Sequence, residues 1–215
     1  MQKKESNKLI YSVLGDSVST FEGITPSEAV FYDSYIQAES GIMTPEDTWW
    51  MKVIRAKDGV LGSNHSLAGS TVSGRLLSSG TSARRQRALA QNGAPDVILV
   101  NMGANDWGFG VLPEEFKKEY QDMIYTLKLL YPQAQIWCGT ILEGELPADR
   151  KDAFFNVDAC ISSRIYSDII RDIARKADVH LADTARHGIS YSTIDGVHPD
   201  KKGMETIASL WLREM

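Results

Sequence analysis

A serine, an aspartate and a histidine stand at spacings that could support nucleophilic catalysis. Ser17 follows an apolar run that ends at Gly15, so a tight turn there would present its hydroxyl beyond the end of a strand. Asp195 and His198 are three residues apart, which lets a carboxylate meet an imidazole on one side of a turn. A carboxylate that holds one ring nitrogen leaves the other free to take a serine proton. We interpret Ser17, His198 and Asp195 as nucleophile, general base and orienting acid.

A donor for developing negative charge follows a second apolar run. Asn105 lies in Gly103-Ala104-Asn105-Asp106, and an asparagine amide can donate a hydrogen bond to an oxyanion. Each feature also has a plainer interpretation when it is taken alone. Ser17 would be a helix N-cap, the Asn-Asp pair a turn, and the Asp195 and His198 pair a salt-bridged turn.

The other histidines are weaker candidates for a base. His180 lies in a predicted strand, and His65 and His187 lie in predicted loops. None has an aspartate at so natural a spacing, although Asp183 is a reserve orienting acid.

The elements that must position these residues are strands alternating with helices. Apolar runs at 9–14, 97–102, 135–141 and 179–182 predict buried strands, with a weaker candidate around Val60 and Leu61. Apolar stripes at helical spacing predict core-facing helices. The four predicted helices are one capped by Thr48, one from Pro113 to Pro132, one over 155–177 and one after Pro199. The apolar stripe of the third consists of Ile161, Ile165, Ile169 and Ile173. Such alternation predicts a parallel sheet covered on both faces, with ligands bound beyond its carboxyl edge.

Length and charge narrow the class of protein. The 215 residues suffice for one sizeable core, so we expect residues 1–215 to form a single domain. A formal net charge of -5 argues against a nucleic-acid partner. The short basic cluster 84–87 is interpreted as a solvated helix face. The apolar stretch 9–14 is too short for a signal-peptide core or a membrane span, which favours a cytoplasmic protein.

The two cysteines, Cys138 and Cys160, are not at metal-ligand spacing. Buried free thiols are the favoured interpretation of both. No metal or cofactor is expected, and the oligomeric state is left open.

In chain order, these blocks resemble the SGNH (GDSL) hydrolase family over the whole chain. Gly15-Asp16-Ser17 resembles the nucleophile block, Gly103-Ala104-Asn105-Asp106 the block with an oxyanion donor, and Asp195-Gly196-Val197-His198 the acid and base block. The family's remaining block supplies one glycine N–H, for which Gly69 is the best candidate. Val18 stands where the family name places leucine, and it is also apolar. The resemblance implies a flavodoxin-like, three-layer α/β/α sandwich of about five parallel strands.

The residues and the resemblance together indicate a serine esterase. Ser17 would form an acyl-enzyme, while the N–H groups of Ser17 and Gly69 and the Asn105 amide hold the oxyanion. The sequence shows no long apolar lid, which favours small acyl esters, acetyl above all, on a small molecule such as an acylated sugar. The open alternatives are a lysophospholipase or thioesterase of the same fold, a non-catalytic carbohydrate-binding relative, and a flavodoxin-like nucleotide-binding domain.

The long segment between Ser17 and Gly69 contains Trp49 and Trp50. It could roof the site and shape substrate choice, but core packing of both tryptophans is favoured. Asp16 is interpreted as a structural partner of its loop rather than as a second acid.

Overall fold

A sheet of five parallel strands forms the centre of the computed structural model, which describes residues 8–148 and 161–215. The strands are β1 (Ile10–Gly15), β2 (Val60–Asn64), β3 (Val97–Asn101), β4 (Gln135–Gly139) and β5 (His180–Ala182). Their order in space is β2-β1-β3-β4-β5, the flavodoxin-like order. The predicted parallel sheet is confirmed, including its weaker strand at Val60.

Seven α-helices connect or follow the strands in the described residues, including the four predicted from their apolar stripes. They are α1 (Ser34–Ser40), α2 (Trp49–Ala56), α3 (Ala83–Ala88), α4 (Ala104–Gly108), α5 (Pro113–Leu130), α6 (Ser163–Ala177) and α7 (Lys201–Glu214). The Thr48 hydroxyl accepts a hydrogen bond from the N–H of Met51 and so caps α2. Pro113 occupies the first turn of α5, where its missing N–H costs nothing.

The sheet is covered on both faces, because successive strand residues point in opposite directions. Val13 and Leu99 belong to one buried cluster, together with residues of α2 and α7. Leu14 and Val100 belong to the other, together with residues of α5 and α6. The result is the expected three-layer α/β/α sandwich.

The two tryptophans of α2 are core residues, as favoured from the sequence. Trp49 and Trp50 are fully buried, and the ring of Trp49 stacks on that of Trp211 with centroids 4.8 Å apart. The Trp49 indole N–H donates to the Ser19 hydroxyl over 3.1 Å. Trp49 therefore supports the segment that follows Ser17, and neither buried tryptophan can roof a site.

The prediction that the isoleucine stripe of the 155–177 helix faces the core is partly wrong. The helix begins at Ser163, and residues 155–160 lie outside the described residues. Ile165 is 45% exposed, whereas Tyr166, Ile170 and Ile173 form the buried face. At 3.6 residues per turn, a repeat of four drifts around the helix by about 40° per step, so the stripe cannot face the core throughout.

The interpretation of the basic cluster 84–87 as a solvated face is also wrong at its centre. Arg85 is only 2% exposed, and the residue after it is buried too. The Arg85 guanidinium donates to the carbonyl oxygens of Gly15 (2.7 Å), His65 (2.6 Å) and Ser78 (2.5 Å). Burial lowers its pKa to about 10, and the charge of Asp16 opposes that shift. These carbonyl acceptors explain how a charged side chain is tolerated inside.

Cys138 is a buried free thiol in β4, as expected. Burial raises its pKa to about 12, so it stays protonated and unreactive at neutral pH. Cys160 lies outside the described residues.

Candidate active site

The carboxyl ends of β1 and β3 meet at one edge of the sheet. Gly15 pairs with Asn101 in the parallel register, so both strands end side by side. Ser17 follows the first end and Asn105 follows the second. The sheet thus brings two residues from distant parts of the sequence to the edge where ligands bind in such folds.

A short 3-10 turn, Ser17–Ser19, presents the hydroxyl of Ser17. The Asp16 carboxylate caps this turn by accepting the N–H of Val18 over 3.1 Å. Ser17 is therefore not the N-cap that its sequence alone would favour. Asp16 serves its own loop, as the sequence interpretation held.

His198 and Asp195 complete a hydrogen-bonded line with Ser17. The His198 Nε2 lies 2.9 Å from the Ser17 Oγ, and its Nδ1 lies 2.6 Å from the Asp195 Oδ2. His198 is 3% exposed and Ser17 is 6% exposed, so little water competes for these bonds. With the ring proton on Nδ1, held by the carboxylate, Nε2 is left to accept the serine proton.

The Asp195 carboxylate is stabilised in its charged form. Burial alone would raise its pKa, but the hydrogen bond and charge of His198, with the backbone N–H groups of His198 and Val197, hold the pKa below its ordinary value. Those two N–H groups bond to its Oδ1 at 2.7 and 3.0 Å. One carboxylate therefore fixes both the loop and the ring.

The block that contains Asn105 lies next to the block assigned to Gly69. The Asn105 Nδ2 donates to the carbonyl oxygen of Ser70 over 2.8 Å. Gly69 is the preceding residue, and its φ of +71° belongs to the left-handed region that favours glycine. The Ser70 hydroxyl in turn donates to the Gly15 carbonyl over 3.3 Å. Gly69 and Asn105 are thus tied to the strand end that carries Ser17.

The loop after Ser70 is held by a buried carboxylate. Asp106 is fully buried and accepts the N–H groups of Val72 (2.8 Å) and Ser73 (3.0 Å). Burial raises its pKa, and those hydrogen bonds oppose the rise. Asp106 is therefore a structural acceptor behind Asn105.

The structure adds a contact to His198 that the sequence did not reveal. The ring of Phe31 lies against the imidazole with centroids 3.4 Å apart and planes inclined by 13°. Phe31 belongs to a loop-like segment without periodicity, so no sequence signal indicated this contact. Thr20 connects Phe31 to the Ser17–Ser19 turn through hydrogen bonds of its hydroxyl.

The remaining histidines do not reach this site. His65 contacts Gln91, His187 contacts Glu214 and His180 stacks on Trp137. The reserve acid Asp183 forms an ion pair with Arg171 at 2.7 Å.

Within 8–148 and 161–215, no cluster of His, Cys, Asp or Glu side chains could hold a metal ion. In the same two ranges, no helix is long and apolar enough to cross a membrane.

Fold and site together define an α/β protein in which a serine, a histidine and an aspartate are joined by hydrogen bonds in the order that serine hydrolases use. The chain belongs to the GDSL-like lipase/acylhydrolase family, whose model matches residues 9–214. Membership implies an ester hydrolase.

Solved structures with the same fold have low sequence identity to this chain. A protein described as a GDSL-like lipase from Bacteroides uniformis is 23% identical, with a TM-score of 0.68 over 97% of this chain and 95% of that one. One so described from Bacteroides ovatus is 21% identical, with a TM-score of 0.67 over 97% and 99%. The esterase EstA from Pseudoalteromonas, solved with monoethylphosphonate as inhibitor, is 16% identical, with a TM-score of 0.58 over 96% of each chain. No curated protein gives a significant sequence match.

The buried carboxyl of Asp16 predicts a pH dependence of stability. Burial raises its pKa from 3.8 to about 7, against the opposing effects of the Val18 N–H and Arg85. The folded protein therefore holds this proton more tightly than the unfolded chain does. The stability contribution of Asp16 is full below pH 4, falls as the pH rises towards 7 and is constant above that.

The Asp16→Asn variant removes this titration and can still accept the Val18 N–H. Its free energy of unfolding relative to wild type should increase between pH 4 and pH 8, by at most about 4 kcal/mol. Urea unfolding at several pH values measures this, with Glu22→Gln, at an exposed carboxylate, as the control. Parallel pH profiles for wild type and Asp16→Asn would refute the prediction.

Proposed function

We propose that this protein is a serine esterase that hydrolyses small acyl esters, acetyl esters above all, through an acyl-enzyme on Ser17. The observation that carries the proposal is the continuous line from the Ser17 hydroxyl through His198 to the Asp195 carboxylate. In the same proposal, residues 1–215 act as one domain, which the single sheet of the described residues and the family match over 9–214 support.

In the first half of the reaction, the Ser17 Oγ attacks the ester carbonyl carbon while the His198 Nε2 takes the hydroxyl proton. The tetrahedral intermediate then collapses, and the imidazolium gives that proton to the departing alcohol. In the second half, His198 deprotonates a water that attacks the acyl carbon, and Ser17 regains its proton as the acid leaves. Asp195 stabilises the imidazolium in both halves.

The oxyanion of each tetrahedral intermediate would be held by the N–H groups of Ser17 and Gly69 and by the Asn105 amide. An amide NH2 has two donors, and Ser70 uses one of them in the structure. The other remains to meet the oxyanion, with the amide already oriented. Donors fixed in advance are effective because they need no reorganisation during the reaction.

The preference for small acyl groups is supported by the tight packing around the reacting groups, since Ser17 and His198 are almost fully buried. The cavity nearest to Ser17 and Asn105 in sequence, lined by the residues that precede them, Asp16 and Ala104, measures only about 30 Å³. That is enough for about one water molecule. Cavities of about 490 and 450 Å³ also occur, and none of the three cavities is lined by a proposed catalytic or oxyanion residue. An acylated sugar is the favoured alcohol component, although Trp49 and Trp50 are buried and offer no platform for it.

Replacement of Ser17 by alanine tests the nucleophile. We expect Ser17→Ala to lower kcat for p-nitrophenyl acetate by at least about 10³-fold, because no other group can form the acyl-enzyme. The matched control is Ser27→Ala, at an exposed serine. Turnover by Ser17→Ala equal to that of wild type would contradict the proposal. An inactive wild type would favour the non-catalytic binding relative instead.

A series of acyl lengths tests the substrate preference. With p-nitrophenyl acetate, butyrate, octanoate and palmitate, kcat/KM should fall beyond butyrate because Ser17 and His198 are almost fully buried and leave little room for a long acyl chain. Acetylated xylan and acetylated monosaccharides, compared by acetate release, test the alcohol component. A kcat/KM that rises with chain length would refute the small-acyl preference and favour a lysophospholipase or thioesterase.

A further inference from the structure

The Phe31 ring stacks on one face of the His198 imidazole, the proposed base. Its centroid lies 3.4 Å from that of His198, and the two planes are nearly parallel. A cation that lies against an aromatic face is attracted by the negative potential of that face, and more strongly where water is excluded. Because His198 is almost fully buried, an imidazolium formed there would feel this attraction in full.

Phe31 is fixed to the nucleophile turn by a buried hydroxyl. The Thr20 Oγ1 donates to the carbonyl oxygen of Ser17 over 2.9 Å and accepts the N–H of Phe31 over 3.0 Å. Thr20 is fully buried. The same side chain thus joins the backbone of the nucleophile to the backbone of the aromatic residue.

The neighbouring residue fixes Phe31 to the loop that carries the base. The Tyr32 hydroxyl donates to the carbonyl oxygen of Pro199 over 2.8 Å, and Pro199 directly follows His198. The rings of Phe31 and Tyr32 meet edge to face with centroids 5.1 Å apart. Phe31 is therefore held from both sides, which distinguishes it from an aromatic ring that happens to rest at a surface.

We propose that Phe31 is a positioning residue for the base, which orients the His198 ring towards Ser17 and stabilises its positively charged form. This inference rests on the proposed function. In the reaction, the imidazole gains a proton as Ser17 attacks, so a ring face that favours the cation favours the transition state more than the ground state. The step needs no further reactant.

Other ionisable groups also act on this imidazole. Asp195 acts on it directly. The ionisable groups that surround this pair, and interact electrostatically with Asp195 or with one another, are the phenols of Tyr32 and Tyr191 and the carboxyls of Asp16 and Asp200. A change at Phe31 leaves all of them in place. A difference between Phe31 variants in the titration of His198 therefore reports on the aromatic face.

The test compares Phe31→Leu, which keeps apolar cover without a ring, with Phe31→Tyr, which keeps the ring. In Phe31→Leu, kcat/KM at its pH plateau should fall about tenfold, and the acidic midpoint of the pH profile should move about one pH unit lower. Phe31→Tyr should restore both. The control is Tyr35→Leu, which removes an exposed aromatic residue from α1. Damage to the fold alone would lower the rate without moving the midpoint.

An NMR titration of the histidine rings separates this inference from the proposed function, because it needs no turnover. It uses isotopically labelled wild type, Phe31→Leu, Phe31→Tyr and Tyr35→Leu, with His198→Asn to assign the signal. The His198 midpoint should lie lower in Phe31→Leu than in the other three proteins that retain His198. An equal midpoint in wild type and Phe31→Leu would overturn the role of Phe31, even in an active esterase. If the midpoint shifts as predicted but the wild type hydrolyses no ester, the role of Phe31 stands and the proposed esterase function is rejected.

Discussion

The hydrogen bond between the Ser17 hydroxyl and the His198 ring joins residues 181 positions apart, and it depends on how the sheet and helices bring those residues together. It forms only if the end of β1 and the loop before α7 meet at one edge of the sheet. Parallel pairing of β1 with β3 forms that edge. The stacking of Trp49 in α2 on Trp211 in α7 holds the helix that follows the His198 loop against the same side of the sheet. Local turn chemistry alone could not fix a contact of 2.9 Å between such distant segments.

Buried polar groups hold the backbone around this bond. The carbonyl of Gly15 receives hydrogen bonds from the Arg85 guanidinium, the Ser70 hydroxyl and the N–H of Leu67. The Asp106 carboxyl accepts hydrogen bonds from the N–H groups of Val72 and Ser73, in the loop after Ser70. Such charges are expensive to bury unless every donor and acceptor is used. Here they order the irregular segments beside Ser17, which belong to no strand or long helix.

Much of the fold and the central residues could be predicted because their signals are local. Short apolar runs located the strands, and the Asp-x-x-His spacing located a pair that the structure joins at 2.6 Å. Arg85 and Ile165 were misjudged because burial depends on which face a neighbouring segment covers. Phe31 gave no signal, since its stacking on His198 arises from contacts between loops that lack a repeating pattern.

The most direct measurement is covalent labelling of the folded protein with a serine-reactive fluorophosphonate, followed by peptide mass mapping. The account predicts one adduct, on Ser17, and its near loss in His198→Asn, because the hydroxyl then lacks its base. An unlabelled wild type, or an adduct on another serine with Ser17 untouched, would contradict the account.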